Sequence, residues 1–463
     1  MSLELLKKSA RSGLAIVFAG FVAWTSPTPS IAQQAEVDGP DIPKAEFRDR
    51  RAKALEAFKD GIVVMLGTRD EEFGEFVKFR QRNDLQYLTG ASQPDASLIL
   101  VPADLAPDKK AREILFLPAR NRGTEQWMGA RVGPGTEGSE HYGIAEVLPA
   151  DKFQSTLDSL IPAAEGHDGA KAPKVYIDIP RGHDSNFSRE ARLVEQLKKR
   201  NPGVTTGRPS QAIGELRKIK SPAEVALLQK AIDITGDGQR EAARAIRPGA
   251  FEYEAQGALE GAFIKGGAER LGFFSIVGSG PNSCVLHYND NRRKMKENEL
   301  VVVDIGAEYH YYTADITRTY PTSGKFTPRQ RQVYQLVLDA QKAAEDSFEV
   351  GKSNLGTLTA AAQRAMKESP LRDSKGNTLD RHFVHGLGHW VGMDVHDVGS
   401  YNGPLPVGSV FTIEPGIYLA DEALGVRIED DYLVTEKGLV KLSGKIPSAP
   451  DAIEALMASV RQP

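Results

Sequence analysis

Val301-Val302-Val303-Asp304-Ile305-Gly306 is an apolar, β-branched run with a carboxylate near its end. After Ala307 to Tyr312 the chain continues Thr313-Ala314-Asp315-Ile316-Thr317-Arg318. The first run predicts a buried strand, and a hairpin across the two segments would carry Asp304 and Asp315 to one face. Two ionised carboxylates inside an apolar strand pair are costly unless a cation compensates them. The plainer reading places one aspartate in a turn and pairs the other with an arginine such as Arg318.

Three further segments sharpen the choice. Residues 382–396 hold four of the nine histidines, His382, His385, His389 and His396, interleaved with Gly386, Gly388 and Gly392. The glycines argue against a continuous helix and suit backbone in close approach to a site. Phe411-Thr412-Ile413-Glu414-Pro415-Gly416 and Val426-Arg427-Ile428-Glu429-Asp430-Asp431 each set a glutamate at the end of an apolar or β-branched stretch. Taken singly, the histidines read as core or surface residues, Glu414 as a turn residue, and 429–431 as a solvated acidic run. Together the four features are hard to assign to chance.

Asp304, Asp315, His389, Glu414 and Glu429 match, in order and context, the metal-ligand pattern of the pita-bread metallopeptidases, which include methionine aminopeptidase, aminopeptidase P and prolidase. The eleven-residue spacing of the aspartates, His385-Gly386-Leu387-Gly388-His389-Trp390, Glu414-Pro415-Gly416 and Arg427-Ile428-Glu429-Asp430-Asp431 resemble the aminopeptidase P and prolidase branch. So does Val277-Gly278-Ser279-Gly280-Pro281-Asn282 leading to Leu286-His287-Tyr288. In the first half, Phe79 to Gly90 and Glu125 to Arg131 look like recurring segments of that branch, with a looser match.

The resemblance implies an α+β protein. A C-terminal pita-bread catalytic domain of the creatinase/aminopeptidase type would occupy 213–463. An α/β domain of the creatinase N-terminal type would occupy 33–212. It further implies that Asp315 and Glu429 bridge two metal ions, that Asp304 completes one site, and that His389 and Glu414 complete the other. Four carboxylates and one imidazole suit Mn²⁺, with Co²⁺, Fe²⁺ or Zn²⁺ as other fits. Two such metals can activate a water to hydroxide near neutral pH. Glu414 would handle its proton, His396 would hydrogen-bond the developing oxyanion, and His287 and His385 would orient substrate and assist proton transfer. Arg427, two residues before Glu429, is expected to hold a bridging carboxylate in place, with Tyr418 a weaker candidate for support. His382 is read as structural or surface.

The implied activity is hydrolysis of the N-terminal Xaa-Pro bond of peptides with proline second. A dipeptidase on the same fold and a non-catalytic binding protein are the alternatives. A homo-oligomer, dimer or tetramer, follows from family habit.

The remaining sequence sets limits. The 463 residues are 40% hydrophobic and 26% charged, enough for a real core and unlike a disordered or coiled-coil chain. One cysteine, Cys284, excludes an internal disulfide framework and a thiolate zinc cluster, and reads as a small buried hydrophobe. A net charge of -4 gives no basic footprint for nucleic acid.

Short strand-like runs at Ile62–Leu66, Ser97–Val101, Ile114–Leu117 and Val175–Ile179 alternate with helical signals, beginning with Arg48–Lys59. Ser221-Pro222-Ala223-Glu224 predicts a capped helix start, Pro248-Gly249 its end, and further helices are expected near 329–346 and 357–367. At the N-terminus, Lys7, Lys8 and Arg11 precede the charge-free run Gly13–Trp24, then Pro27, Pro29 and Ser30-Ile31-Ala32. This is the pattern of a cleaved secretory signal over 1–32. Twelve apolar residues fall short of the ~20 that span a bilayer. The expectation is an exported, periplasmic or secreted protein with no lasting membrane insertion.

Overall fold

The computed structural model describes residues 41–70, 78–106, 108–161, 173–180 and 188–461. The segment expected to be a signal peptide lies outside them. Residues 122–130, with the helix Arg122–Met128, fall in a separate compact unit. Everything below concerns the larger unit.

Its first part is a six-stranded mixed sheet. The strands are β1 (Gly61–Leu66), β2 (Ser97–Val101), β3 (Arg112–Leu117), β4 (Glu146–Pro149), β5 (Lys174–Tyr176) and β6 (Thr206–Gly207), in the order β4-β3-β2-β1-β5-β6. The apolar runs are unbroken because both faces are covered. Ile62, Val64, Ile99, Val101, Ile114, Phe116 and Val175 pack under the helices Phe153–Leu160 and Arg189–Arg200. The alternate residues Val63, Met65, Leu98, Leu100, Leu115 and Leu117 join Ala54 of the helix Lys44–Ala57 and Leu85 and Leu88 of the helix Asn83–Thr89. That second core runs on without interruption into the C-terminal half.

Strand β5 is shorter than the run at 175–179 suggests. The Asp178 carboxylate accepts from the Ser210 backbone N–H at 3.0 Å and from Arg208 Nε at 3.3 Å, which draws the chain out of the ladder. The expected boundary between 212 and 213 falls inside a helix, Ser210–Lys218.

The second part has four small antiparallel sheets wrapped by helices. Strands β7 (Arg270–Leu271), β8 (Ile276–Ser279), β9 (Leu300–Ile305), β10 (Ala307–Tyr309), β11 (Tyr312–Thr313) and β12 (Ile316–Pro321) form the sheets β12-β9-β8 and β11-β10-β7. Strands β13 (Val410–Ile413), β14 (Gly416–Leu419), β15 (Leu424–Arg427), β16 (Asp430–Thr435) and β17 (Gly438–Lys441) form β13-β16-β17 and β14-β15.

The helix Pro222–Ala245 starts on the predicted capping box: Ser221 Oγ accepts from the Glu224 N–H, and Glu224 Oε2 accepts from the Ser221 N–H at 2.9 Å. It ends three residues before Pro248. The helices Pro328–Asp346 and Leu355–Glu368 lie where the pattern put them. Among the described residues no helix is long and apolar enough to cross a membrane.

The predicted hairpin exists, with an insertion. Strands β9 and β12 pair with Asp304 opposite Thr317 and Ile305 opposite Ile316. The intervening residues do not turn directly. They form a second hairpin, β10–β11, whose tip, His310-Tyr311, adopts the left-handed conformation (φ 46° and 72°).

Arg318 does not pair with Asp304 or Asp315. It is fully buried, binds Asp430 Oδ1 at 2.7 Å, and donates to the carbonyls of Glu429, Ile446 and Pro447. Removing one partner of a buried ion pair strands the other charge and costs about 3–5 kcal/mol. Arg318→Met is therefore expected to lower the urea midpoint of the C-terminal half markedly; an unchanged midpoint would contradict the role of this pair.

Candidate metal centre

The five candidate ligands sit where ladders stop. Asp304 is the penultimate residue of β9, and Asp315 immediately precedes β12. Because Asp304 pairs with Thr317, Asp315 two residues earlier shares its face by the two-residue period of a strand. His389 precedes Trp390, which bridges to Phe411 of β13, and its backbone exchanges bonds with Thr412. Glu414 follows β13, with its N–H on the Leu387 carbonyl at 2.8 Å. Glu429 lies between β15 and β16, with its N–H on the Thr317 carbonyl at 3.1 Å.

The side chains converge. His389 Nε2 lies 3.4 Å from Asp315 Oδ2 and 3.4 Å from Glu414 Oε1. One ligand atom each from Asp315, His389 and Glu429 fall within 4.8 Å of one another. All five residues line one cavity of about 260 Å³, together with Leu286, His287, His385, Gly386, Gly388, His396 and Arg427. Gly388 is required here: a Cβ would stand 2.0 Å from the Thr412 carbonyl oxygen, so no side chain fits where this loop meets β13.

The electrostatics define what the cavity needs. Asp315 and Glu429 have carboxyl pKa values raised well above the usual range, first by burial; Asp304, Asp431 and Glu414 raise Asp315 further, and Asp315, Glu414 and Asp304 raise Glu429. Glu414 is pushed up to about 7 by burial, against the pull of His389 and Arg427. Asp304 Oδ1 and Asp315 Oδ1 are buried and have no hydrogen-bond partner. Orphaned acidic oxygens facing one cavity are the donor set that hard divalent cations take. The residues therefore fit a metal centre held by Asp304, Asp315, His389, Glu414 and Glu429. His389 Nδ1 lies 3.1 Å from the Trp390 carbonyl; a proton donated there leaves the Nε2 lone pair for a metal.

The supporting residues differ in part from expectation. Arg427 does not hold Glu429. Its Nη2 binds Asp304 Oδ2 at 2.7 Å, its Nη1 donates to Tyr418 Oη at 3.0 Å, and its Nε donates to Thr317 Oγ1 at 3.2 Å. Glu429 is held instead by Thr317 Oγ1, which donates to Oε2 at 2.6 Å. Strand β15 ends at Arg427, so Arg427 reaches back across the sheet while Glu429 already belongs to the crossing into β16.

Thr317 and Asp431 were not singled out in the sequence. The only signal for Thr317 is its place two residues after Asp315 on the same strand face. Asp431 belongs to the run that reads as solvated, yet Asp430 and Asp431 are both fully buried. Asp431 Oδ2 accepts from the Asp315 backbone N–H at 3.2 Å, and burial pushes its carboxyl up to about 8.

The other histidines divide. His385 packs its Nδ1 on the Gly386 carbonyl at 2.8 Å and its Nε2 on Tyr418 Oη at 2.9 Å; burial and the Arg427 charge push its pKa down to about 4, so it is neutral at pH 7. The His396 ring centroid lies 4.0 Å from that of His389, and burial lowers its pKa as well. His287 lines the cavity. His382 lies apart, 3.1 Å from Asp373 Oδ2. Burial raises the Cys284 thiol, which keeps it protonated.

A carboxyl raised in the fold keeps its proton after the unfolded chain has lost it. Without metal, stability contributed by these groups therefore falls as pH rises from the ordinary carboxylate range through about 7 for Glu414. A bound cation displaces the protons and removes that penalty. The rise in Tm given by saturating divalent metal over chelated protein should be larger at pH 8 than at pH 6; equal rises would contradict the site.

Comparison with known proteins agrees with this geometry. The profile of metallopeptidase family M24 matches residues 226–436, and that of the aminopeptidase P N-terminal domain matches residues 47–167. Xaa-Pro aminopeptidase of Escherichia coli (strain K12) is 32% identical over 460 residues, covering 91% of this chain and 99% of the relative. Intermediate cleaving peptidase 55 of Saccharomyces cerevisiae is 30% identical over 450 residues, covering 90% and 85%. The solved structure of Zn-substituted E. coli aminopeptidase P in complex with product is similar at a TM-score of 0.80 and 31% identity, over 91% of this chain and 100% of that one. The chain belongs to metallopeptidase family M24, with an aminopeptidase P N-terminal domain ahead of its catalytic domain.

Proposed function

We propose that this protein is a metal-dependent Xaa-Pro aminopeptidase that hydrolyses the first peptide bond of substrates with proline second. The observation that carries the reading is the convergence of Asp304, Asp315, His389, Glu414 and Glu429 on one cavity. Two divalent ions bound there supply an activated water and a polarised scissile carbonyl. The hard, oxygen-rich donor set favours Mn²⁺ among the first-row ions.

The chain's own residues do the rest. Glu414 faces the cavity, where it takes the proton of the attacking water and returns it to the leaving proline nitrogen. That nitrogen leaves as the neutral amine and not as an amide anion, so the returned proton is needed for departure. His385 lies 3.7 Å from Glu414 Oε2 and is neutral, so it adds no charge that would lower the proton affinity of Glu414. His396 and His287 face the same cavity as hydrogen-bond donors to the carbonyl oxygen as it gains charge. Arg427 fixes Asp304, and Thr317 fixes Glu429, so two of the acidic ligands cannot swing away.

Export is part of the proposal, on the basis of the N-terminal pattern, as is assembly into a dimer or tetramer. The mature exported protein is expected to begin at Gln33, and mass spectrometry finding Met1 retained would overturn cleavage.

A peptide panel tests the activity. Chelated protein should be inactive, and Mn²⁺ should restore release of glycine from Gly-Pro-Ala. Hydrolysis of Gly-Pro alone would make the protein a dipeptidase. Failure to bind or respond to any divalent metal would make it a binding protein.

A further inference from the structure

The segment His389–Asp397 carries a candidate metal ligand at one end and His396 near the other, and it folds back on itself so that the two ring centroids lie 4.0 Å apart, with the planes tilted by 43°. The Asp397 N–H donates to the Trp390 carbonyl at 2.8 Å, and the Gly392 N–H to the Asp394 carbonyl at 3.2 Å. The Gly392 carbonyl in turn accepts from the Thr313 N–H at 2.9 Å. The fold-back is tight: a Cβ on Gly392 would lie 2.1 Å from Asp397 Oδ2.

None of these bonds anchors the far end of the loop to the rest of the molecule. Arg217 does. This residue, 3% exposed, is the penultimate residue of the connecting helix Ser210–Lys218. Its Nη2 binds Asp394 Oδ2 at 2.7 Å and Asp397 Oδ1 at 2.6 Å, one on each side of His396. Its Nη1 binds Asp84 Oδ1 at 2.7 Å, on the helix Asn83–Thr89 of the N-terminal domain. Lys220 Nζ holds the other oxygen of Asp397 at 3.0 Å. From the same N-terminal helix region, Arg80 Nη2 and Asn83 Nδ2 both donate to the Met393 carbonyl at 3.1 Å.

A buried ion cluster is weak evidence for stability, because desolvation offsets most of the attraction. What the guanidinium fork supplies is direction: fixed N–H vectors accept little displacement of the carboxylates they hold. The side chain between those carboxylates is the one that must meet a developing oxyanion, where a misplacement of about 1 Å is worth on the order of a hundredfold in rate.

We propose that Arg217 is a positioning residue for His396, and that through Asp84 it makes this positioning depend on the N-terminal domain. The inference rests on the role given to His396 above. Arg217 touches no substrate and no candidate ligand; it acts through the loop.

A double-mutant cycle tests it on the metal-loaded protein with Gly-Pro-Ala. Arg217→Lys keeps the charge and loses the fork. Asp394→Asn, whose side chain is half-exposed, removes one contact with little risk to folding. Each is expected to lower kcat by about tenfold to a hundredfold with bound metal unchanged. In a His396→Ala background the same substitutions should cost less than about twofold, because the group they position is gone. Losses that multiply with that of His396→Ala, losses matched by missing metal, or full activity of both variants beside an impaired His396→Ala would each overturn the clamp alone. Full activity of His396→Ala would instead remove the role of His396, and the clamp's purpose with it.

Discussion

Four carboxylates crowded around one imidazole, largely cut off from water, repel each other, and the fold tolerates them only with compensating positive charge. Inside the protein that charge is scarce. Arg427 reaches Asp304, and among the described hydrogen bonds and ion pairs no arginine or lysine reaches the side-chain carboxylate of Asp315 or Glu429. The consequence is visible in the acids themselves, whose proton affinities rise with burial and mutual repulsion. Divalent cations resolve the conflict, so metal binding and the integrity of this region are one property.

Everything around the cavity serves to hold acids where they would not stay by choice. Strand pairing sets Asp304 and Asp315 on one face. The Asp431 carboxylate is tied to the backbone of Asp315, and the Thr317 hydroxyl to Glu429, by short bonds over 110 residues apart in sequence. Behind them Arg318 and Asp430 form a closed pair that also ties down the backbone of Glu429. Arg318 thus sits one layer back from the centre, whereas Arg427 lines the cavity and binds one oxygen of Asp304 directly.

The five candidate ligands were legible as a set, because together they match one pattern in order and context, whereas each taken singly has a plainer reading. A carboxylate closing an apolar strand, a glycine-flanked histidine and a glutamate before proline carry their oddity in a few neighbouring residues. The supports were not legible, since they act across the chain. Thr317 is an ordinary strand residue until Glu429 arrives beside it. Asp430 and Asp431 look like surface acids because their burial depends on Arg318 and on the strands β9 and β12. The expected partner of Arg427 failed for the same reason: proximity in sequence favoured Glu429, while the end of β15 sends the side chain to Asp304. Likewise the direct hairpin at 304–315 hid the inserted β10–β11 pair, which the residues Ala307–Tyr312 do not mark as strands. The first domain's strands were visible as apolar runs, with β5 cut short by the side-chain bonds of Asp178.

The most direct measurement is anomalous diffraction from crystals of the Mn²⁺-loaded protein, recorded near the manganese edge. Two peaks are expected between Asp304, Asp315, His389, Glu414 and Glu429. Metal bound elsewhere, with these five side chains left unliganded, would contradict a dinuclear centre at this place in the fold.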